Sequence, residues 1–347
     1  MRCCRVWLGV LLAGWLTAGC GDDGGGSPPL VRFRALSFNT GSGGATGGFA
    51  GGEWTAELQD IGDEFYGNGL AWEPAVAATR RWLAEVEPDV VVFQEIFHTP
   101  DCADIPMAQR EQFICEQYDV AAALPVAQIV LGAGYQVMCH PGKPDKCGAV
   151  KTSFGRFRGC AEDFCLEGLA GARVPDCGRG SRVGRGVIEL VAGGSLTLVS
   201  FHGSSGVSSE DERCRLAQVN QVFVDLGDGT GQPAANGARN LIMGDLNVDP
   251  VLWASFDPSA ARWLDFTVNP DDAAATADRP FRFHSDVGQD APASYAGLFN
   301  IDHVLSDAAT GGCWVAGITP GQPHVLGDEF HFDHKPVVCD LEMENRP

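Results

Sequence analysis

The chain is short of positive charge: its 347 residues carry 24 Lys and Arg against 45 Asp and Glu, a formal net charge of −21. A surface this acidic repels polyanions. No basic stripe of the kind that nucleic-acid affinity rests on runs along it. Both features weigh against a protein held to its ligand by neutralising many phosphates, although divalent cations at a site offset such repulsion locally. Internal repeats are absent, and no composition break follows Val31, so neither a solenoid nor a clear two-domain chain is indicated. Long apolar runs are missing too. The run over residues 6–18 is too short to span a bilayer comfortably as a mature helix. The cysteines form no tight paired motif, so the usual zinc signature is lacking.

Arg2 and Arg5, the apolar run and then Leu16-Thr17-Ala18-Gly19-Cys20 resemble a bacterial lipoprotein processing site. The expectation is a signal peptide over 1–19, a lipid anchor on Cys20 and a Gly/Pro-rich tether over 20–30. A plain secretory signal is the alternative. Either way the protein is exported, lipid-anchored in the cell envelope or secreted. Of 13 cysteines, Cys3 and Cys4 leave with the signal and Cys20 carries the lipid, so ten remain. An even number in an exported protein suggests up to five disulfides, with the pairing open. Zinc among Cys139, His140, Cys147, Cys160 and Cys165 is the competing use.

One domain is expected over 31–345. Residues 31–39 read as a strand. Trp72, Val76, Thr79, Leu83 and Val86 recur at helical spacing, which predicts an amphipathic helix over 72–87, stopped by Pro88. Residues 89–94, 240–243, 301–305 and 336–341 are short apolar runs of the buried-strand kind. Residues 187–191 and 196–201 predict a strand pair around Gly193-Gly194. Ser209-x-x-Glu212 suggests a capping box, with Leu216, Val219, Phe223 and Leu226 on the buried face of the following helix. Residues 139–186, with five cysteines and little periodicity, read as a loop-rich insertion held by disulfides, with a strand near 148–152. Loosely alternating strands and helices, some strands in adjacent pairs, imply α/β with mixed sheets.

Polar residues punctuate the ends of these strands. Asn39 closes the first and Glu95 follows 89–94. Asp245 and Asn247 follow 240–243, and Asp333 and His334 precede the last strand. An α/β scaffold gathers a site in this way. The oxygen-rich set suits a hard cation, Mg²⁺ or Mn²⁺, able to polarise a phosphoryl oxygen and to acidify a bound water. Each cluster has a bland reading as well. Asn39 serves as a turn residue, Asp245-x-Asn247 as an Asx turn before Pro250, and His202 as a structural histidine.

Taken in order, Ser37-Phe38-Asn39, Phe93-Gln94-Glu95, Ser200-Phe201-His202, Gly244-Asp245-Leu246-Asn247, Asn300-Ile301-Asp302-His303 and Phe332-Asp333-His334-Lys335-Pro336-Val337 resemble the endonuclease/exonuclease/phosphatase superfamily. The matches span residues 33–341. The resemblance implies a four-layer α/β sandwich, with two packed mixed sheets flanked by helices and, in this chain, a disulfide-rich insertion. It implies Asn39, Glu95 and Asp333 as metal ligands. It implies Asp245 as the residue that activates or aligns water, and Asn247 as a holder of that water or of a phosphate oxygen. His334 would bind the scissile phosphate, oriented by Asp302, and His202 would protonate the leaving group. The implied substrate is a phosphate ester, either nucleic acid or a phospholipid or small phosphodiester. No protein partner is implied. A disulfide-rich surface protein that kept the scaffold without the activity is the competing class.

Overall fold

The computed structural model describes residues 29–43, 52–120, 124–270, 272, 275–325 and 331–345. The expected signal peptide and Cys20 lie outside these residues, as does most of the tether. Leu30, expected in the tether, already opens the first strand.

Sheet one has the order β13-β14-β1-β2-β4-β3-β6: β13 (Ala309–Val315), β14 (Val337–Glu344), β1 (Leu30–Asn39), β2 (Val90–Gln94), β4 (Lys143–Lys151), β3 (Tyr135–His140) and β6 (Phe164–Cys165). Sheet two has the order β10-β11-β12-β9-β8-β7-β5: β10 (Thr267–Val268), β11 (Phe281–Phe283), β12 (Asp302–Ser306), β9 (Asn240–Asp245), β8 (Ser195–His202), β7 (Val183–Leu190) and β5 (Gly155–Phe157). Both are mixed. β1 pairs parallel with β2 and antiparallel with β14, and β9 pairs parallel with β8 and antiparallel with β12.

Period-two alternation sets the layers. In β1, Phe33 and Ala35 face sheet two, where they meet Leu198, Leu241, Met243 and Val304. Leu36 and Phe38 face the other way, onto α2 (Glu73–Val86) and α3 (Val126–Leu131). The outer face of sheet two, with Val199, Phe201, Ile242 and Leu305, is covered by α4 (Ser209–Phe223) and α5 (Pro258–Leu264). The result is a four-layer α/β sandwich. α2 forms where its periodicity predicts. Proline sits in its first turn, and Glu87 closes it in the left-handed conformation at φ 49°, donating its N–H to the Leu83 carbonyl. Pro88 follows and cannot continue the ladder.

Three local expectations shift. The capping box of α4 starts one residue early. The Ser208 hydroxyl accepts from the Asp211 N–H, and the Asp211 carboxylate accepts from the Ser208 N–H. The buried stripe therefore includes Arg215 and Gln218, while Leu216 and Phe223 are only half covered. Burying Arg215 is tolerable because Asp257 takes its charge at 2.7 Å and the Ser204 and Gly206 carbonyls accept from it at 2.7 Å each. Within 139–186, β3 and β4 form a hairpin integral to sheet one, and the loop-rich, disulfide-held part begins after β5. Cys139 and Cys147 are directly opposed in that hairpin, 3.9 Å apart at Cα, as are Cys313 and Cys339 across β13 and β14. The other pairs are Cys102–Cys115, Cys160–Cys165 and Cys177–Cys214. All ten cysteines are therefore used, which removes zinc as a competing use for them. Five disulfides fit an extracellular protein. No helix among the described residues is long and apolar enough to cross a membrane. The short α1 (Ala56–Phe65), with α3, α5, β10, β11 and β13, left no periodic signal long enough to read.

β8 and β9 approach so closely at Gly244 (φ 152°) that a Cβ there would collide with the Phe201 carbonyl. Gly244→Ala should lower stability by roughly 3 kcal/mol, read as a fall in the urea midpoint. Gly312→Ala, whose Cβ would meet open space, should leave that midpoint nearly unchanged.

Candidate active site

The apolar filling between the sheets runs out at one end of the strands. Continuing the inward-facing positions, β1 passes from Phe33 and Ala35 to Ser37 and Asn39. β8 passes from Leu196 and Leu198 to Ser200 and His202, and β9 from Leu241 and Met243 to Asp245. In the pairing register Asp245 has His202 on one side and Asp302, the first residue of β12, on the other. Three polar side chains thus stand in a row across three adjacent strands. Sheet one brings Asn39, Glu95 just past β2, and the Asp333-His334 segment ahead of β14. All eight residues expected from the sequence fall in this one cluster.

Two of them hold unusual backbone. Asn247 has φ 54°, a conformation asparagine tolerates. Glu95 has φ 57°, which is uncommon for a side chain of its length. Such strain persists only where surrounding structure fixes it, and it is characteristic of functional sites.

Asp245 is heavily engaged. Its Oδ1 accepts from the Asn247 N–H at 2.7 Å, and its Oδ2 accepts from the side-chain amides of Asn247 (2.9 Å) and Asn39 (3.1 Å). Asn247 also donates to the Gly203 carbonyl at 3.1 Å. Burial raises the Asp245 pKa to about 7, against the opposing pull of His334 and with a further push from Asp302. A carboxylate so placed is a stronger base than a free one.

His334 Nδ1 lies 2.8 Å from Asp302 Oδ2, and both groups are buried. Burial disfavours charge on the imidazole. Asp302, Asp245 and Asp333 outweigh that effect, so its pKa lies well above the usual histidine value. The charged form of His334 is therefore the favoured one. Its Nε2 faces the site, 3.8 Å from Asp245 Oδ2, and the Tyr295 ring lies 4.6 Å from the imidazole. His202 is the opposite case. Burial, then Lys146 and Arg182, hold its pKa well below normal. Its Nε2 lies 3.5 Å from Glu95 Oε1 and 3.6 Å from Asp245 Oδ2, while Nδ1 is buried without a partner. Facing carboxylates favour the N–H on Nε2, so a neutral imidazole directs its donor into the site.

A cluster of oxygens lies beside this. A Cβ placed on Gly41 would stand 2.6 Å from Glu95 Oε2, 3.1 Å from Asp333 Oδ1 and 3.3 Å from Asn39 Oδ1. Burial and then Asp333 raise the Glu95 pKa, and Asp333 is raised by burial and Asp302 against the pull of His334. Asp333 Oδ1 is buried with no hydrogen-bond partner, a deficit of about 1–3 kcal/mol unless something fills it. Three oxygens converging on a glycine-sized gap, one of them unsatisfied, fit a hard divalent cation. Asp245, Asp302 and His334 also bring one ligand atom each within 4.8 Å of one another. There, however, the Nδ1 of His334 is taken by Asp302, so that trio reads as a charge pair beside a base, and the Gly41 gap is the better cation cradle.

The remaining histidines do other work. His331 packs against Trp54 at 4.5 Å and is held neutral by burial, with a pKa of about 3, so His331 and His334 do not act as a pair. His303 bonds Ser285 and the Asn300 carbonyl, and His140 bonds Ser200. Arg156 and Arg158 are exposed and pair with Asp163 and Glu189, as expected of surface charge. Sequence reasoning missed Gly41, hidden in a glycine-rich loop, together with Tyr295 and the buried Lys146. The one available signal for Lys146 was its place beside Cys147 in a segment taken for loop.

Asp302→Asn keeps the shape of the pair and removes its charge. The His334 imidazole should then titrate at lower pH by NMR. If the site is catalytic, kcat should fall roughly 10²–10⁴-fold with the circular dichroism spectrum unchanged.

No protein-family model matches the sequence, and no curated protein matches it. Solved structures do. An endonuclease/exonuclease/phosphatase from Beutenbergia cavernae DSM 12333 superposes with a TM-score of 0.53 at 16% identity, over 91% of this chain and 72% of that one. ANGEL2, a 2′,3′-cyclic phosphatase solved with adenosine-2′,3′-vanadate, gives 0.52 at 13% identity, over 91% and 97%. Identities this low speak to architecture alone, and with the two mixed sheets, their flanking helices and the site at the strand ends they establish that the chain has the endonuclease/exonuclease/phosphatase fold.

Proposed function

We propose that the protein is a divalent-metal-dependent phosphoesterase that hydrolyses a phosphodiester by water attack on phosphorus. The observation that carries this reading is the buried Asp302–His334 pair set against the Asn39–Glu95–Asp333 oxygens, with Asp245 between them. Phosphodiesters resist hydrolysis because their anionic oxygens repel a nucleophile, so positive charge and positioning carry most of the catalysis.

Asn39, Glu95 and Asp333 would hold the cation. Mg²⁺ or Mn²⁺ bound there supplies Lewis acidity toward a phosphoryl oxygen and neutralises its charge. His334, kept protonated by its carboxylates, binds the scissile phosphate through Nε2–H and balances the growing charge. Asp302 fixes its tautomer and orientation. Asp245, with a raised pKa and three N–H donors to hold it still, aligns the water and takes its proton. Asn247 keeps that carboxylate in place with one amide hydrogen and bonds the Gly203 carbonyl with the other, so it would reach a phosphate oxygen only by releasing one of these. His202 presents Nε2–H to the leaving oxygen. Burial favours its neutral form, so hydrogen bonding comes first and full proton transfer requires that its pKa rise with substrate bound.

The substrate is a nucleic acid or a phospholipid or small phosphodiester, and one observation favours the second group. Residues 248–256 and 285–301, the two loops beside His334, contain no Lys or Arg. They expose Phe256 (66%) and Leu298 (74%), and Trp253 joins them through ring contacts to Phe256 and Phe299 at 6.1 and 5.5 Å. That surface gives a polyanion nothing to pair with. An exported protein tethered to a membrane through Cys20 fits a lipid or small ester equally well. The alternative, an inactive binding protein on the same scaffold, would tolerate loss of the charged cluster, yet every position of the cluster is filled.

Hydrolysis of bis-p-nitrophenyl phosphate, plasmid DNA, RNA and sphingomyelin with Mg²⁺ or Mn²⁺, and with EDTA, decides between them. At least one substrate should turn over, EDTA should abolish the activity, and Asp245→Ala and His334→Ala should each cost at least about 10²-fold in kcat. Metal-independent turnover, or full activity in either variant, contradicts the reading.

A further inference from the structure

On the Glu95 side of the site, away from the apolar loops, lies a cavity of about 660 Å³. Glu95, Asp101, Lys143, Asp145, Arg179 and Arg182 are among the residues that line it. In a chain with nearly twice as many acidic as basic residues, this gathering of cations stands out. Lys146, buried behind the wall, pairs with Asp145 at 2.8 Å, and Lys143 shares the same carboxylate at 3.4 Å. Two lysines thus divide one negative charge. Arg182 donates to the Gly203 carbonyl at 3.2 Å, while its Nε is buried with no partner. Among the described residues neither Arg179 nor Arg182 has a carboxylate within ion-pair distance. Asp101 is the one remaining acid of the wall once Asp145 is taken by the lysines and Glu95 faces the Gly41 gap.

The cavity is built rather than incidental. Lys143 sits on the β3–β4 hairpin, stapled by Cys139–Cys147, and Arg179 and Arg182 on the loop anchored by Cys177–Cys214. The two segments touch backbone to backbone. Gly180, at φ 63°, lies so close to Gly142 that any side chain on it would strike the Gly142 carbonyl. That contact, available only to glycine, brings the cations of both segments into one wall. Arg182 also leads directly into β7, whose partner β8 ends in His202, and the His202 N–H donates to the Arg182 carbonyl at 2.9 Å. The cation wall and the catalytic row are thus parts of one rigid frame.

We propose that this cavity is a second anion site, which takes a phosphate group of the substrate other than the one being cleaved. The inference rests on the phosphodiesterase reading and narrows it to esters carrying a further phosphate next to the scissile one. That phosphate is either a terminal monoester or the next link of a strand, and both present the same oxygens to Arg179, Arg182 and Lys143.

The test compares thymidine 5′-(p-nitrophenyl phosphate) with and without a 3′-phosphate, a p-nitrophenyl ester of a dinucleotide, and bis-p-nitrophenyl phosphate. The enzymes are the wild type, the double variant Arg179→Gln/Lys143→Gln, and the single variant Arg179→Gln. In the wild type the added phosphate should lower KM roughly tenfold or more. Both variants should lose that gain with kcat unchanged, and both should keep wild-type kinetics on bis-p-nitrophenyl phosphate. A gain with the monoester alone identifies a terminal-phosphate site, and an equal gain with the dinucleotide a strand site. No gain in the wild type, or a gain that survives in both variants, overturns the proposal. Calorimetric titration with inorganic pyrophosphate separates this inference from its parent. If no ester is hydrolysed and the double variant still binds pyrophosphate about tenfold more weakly than wild type, the phosphodiesterase reading fails and the anion site stands. Equal pyrophosphate binding in an active enzyme sinks the anion site alone.

Discussion

The 2.8 Å contact between Asp302 and His334 joins the two halves of the molecule where their apolar packing ends. Asp302 belongs to sheet two, and His334 precedes the edge-adjacent strand β14 of sheet one. Four carboxylates converge at that end, Asp245 and Asp302 buried, Asp333 and Glu95 partly exposed. Burying like charges together is costly unless a cation is built in. His334 is the cation in direct contact with Asp302, and the buried Lys146 acts on Glu95 from further away. The pKa values of Asp245, Glu95 and Asp333 are raised, first by burial and then by neighbouring carboxylates. A bound cation of the kind proposed would offset this charge imbalance.

The scaffold makes that imbalance durable. Asp245 and Asp302 are fixed and buried at strand ends, and Glu95 and Asp333 sit just beyond strand ends and are partly exposed. Asp245 is held between β8 and β12, behind Gly244, where β8 leaves no room for a side chain. Glu95 is held in a left-handed turn that its length disfavours. Five disulfides stiffen the surrounding loops, and two of them tie down the segments that carry Lys143 and Arg179. Placed this way, a group has little reorganisation left to do when charge develops on a substrate, which is how fixed dipoles and ions gain catalytic effect.

Much of this was legible in the sequence because buried strands follow a simple grammar. An inward-facing row that reads Leu241, Met243, Asp245 cannot continue into the core, so the acid marks the end of the strand and the edge of the site. The same reasoning located Asn39, Glu95 and His334. His202 and Asp302 needed the ordered resemblance across the whole chain. What stayed hidden depends on approach in three dimensions. Gly41 matters because three oxygens from distant segments surround it. Lys146 looked like loop because Lys143-Pro144-Asp145 carries no strand pattern, and it becomes strand only because β2 and β3 pair on either side of β4. Two of the disulfide pairs, Cys139–Cys147 and Cys313–Cys339, follow from which strands lie opposed. The face of α4 was misjudged because an arginine, Arg215, is buried by partners that lie 42 residues or more further along and in the loop just before it.

The central claim is that Asn39, Glu95 and Asp333 surround a divalent cation at the gap left by Gly41. Its most direct test is Mn²⁺ binding followed by electron paramagnetic resonance in the wild type and in Gly41→Ala, which fills the gap and crowds Glu95 Oε2 without removing any candidate ligand. The account predicts a saturable Mn²⁺ signal in the wild type and affinity weaker by at least about tenfold in Gly41→Ala. Equal binding in the two proteins would contradict it.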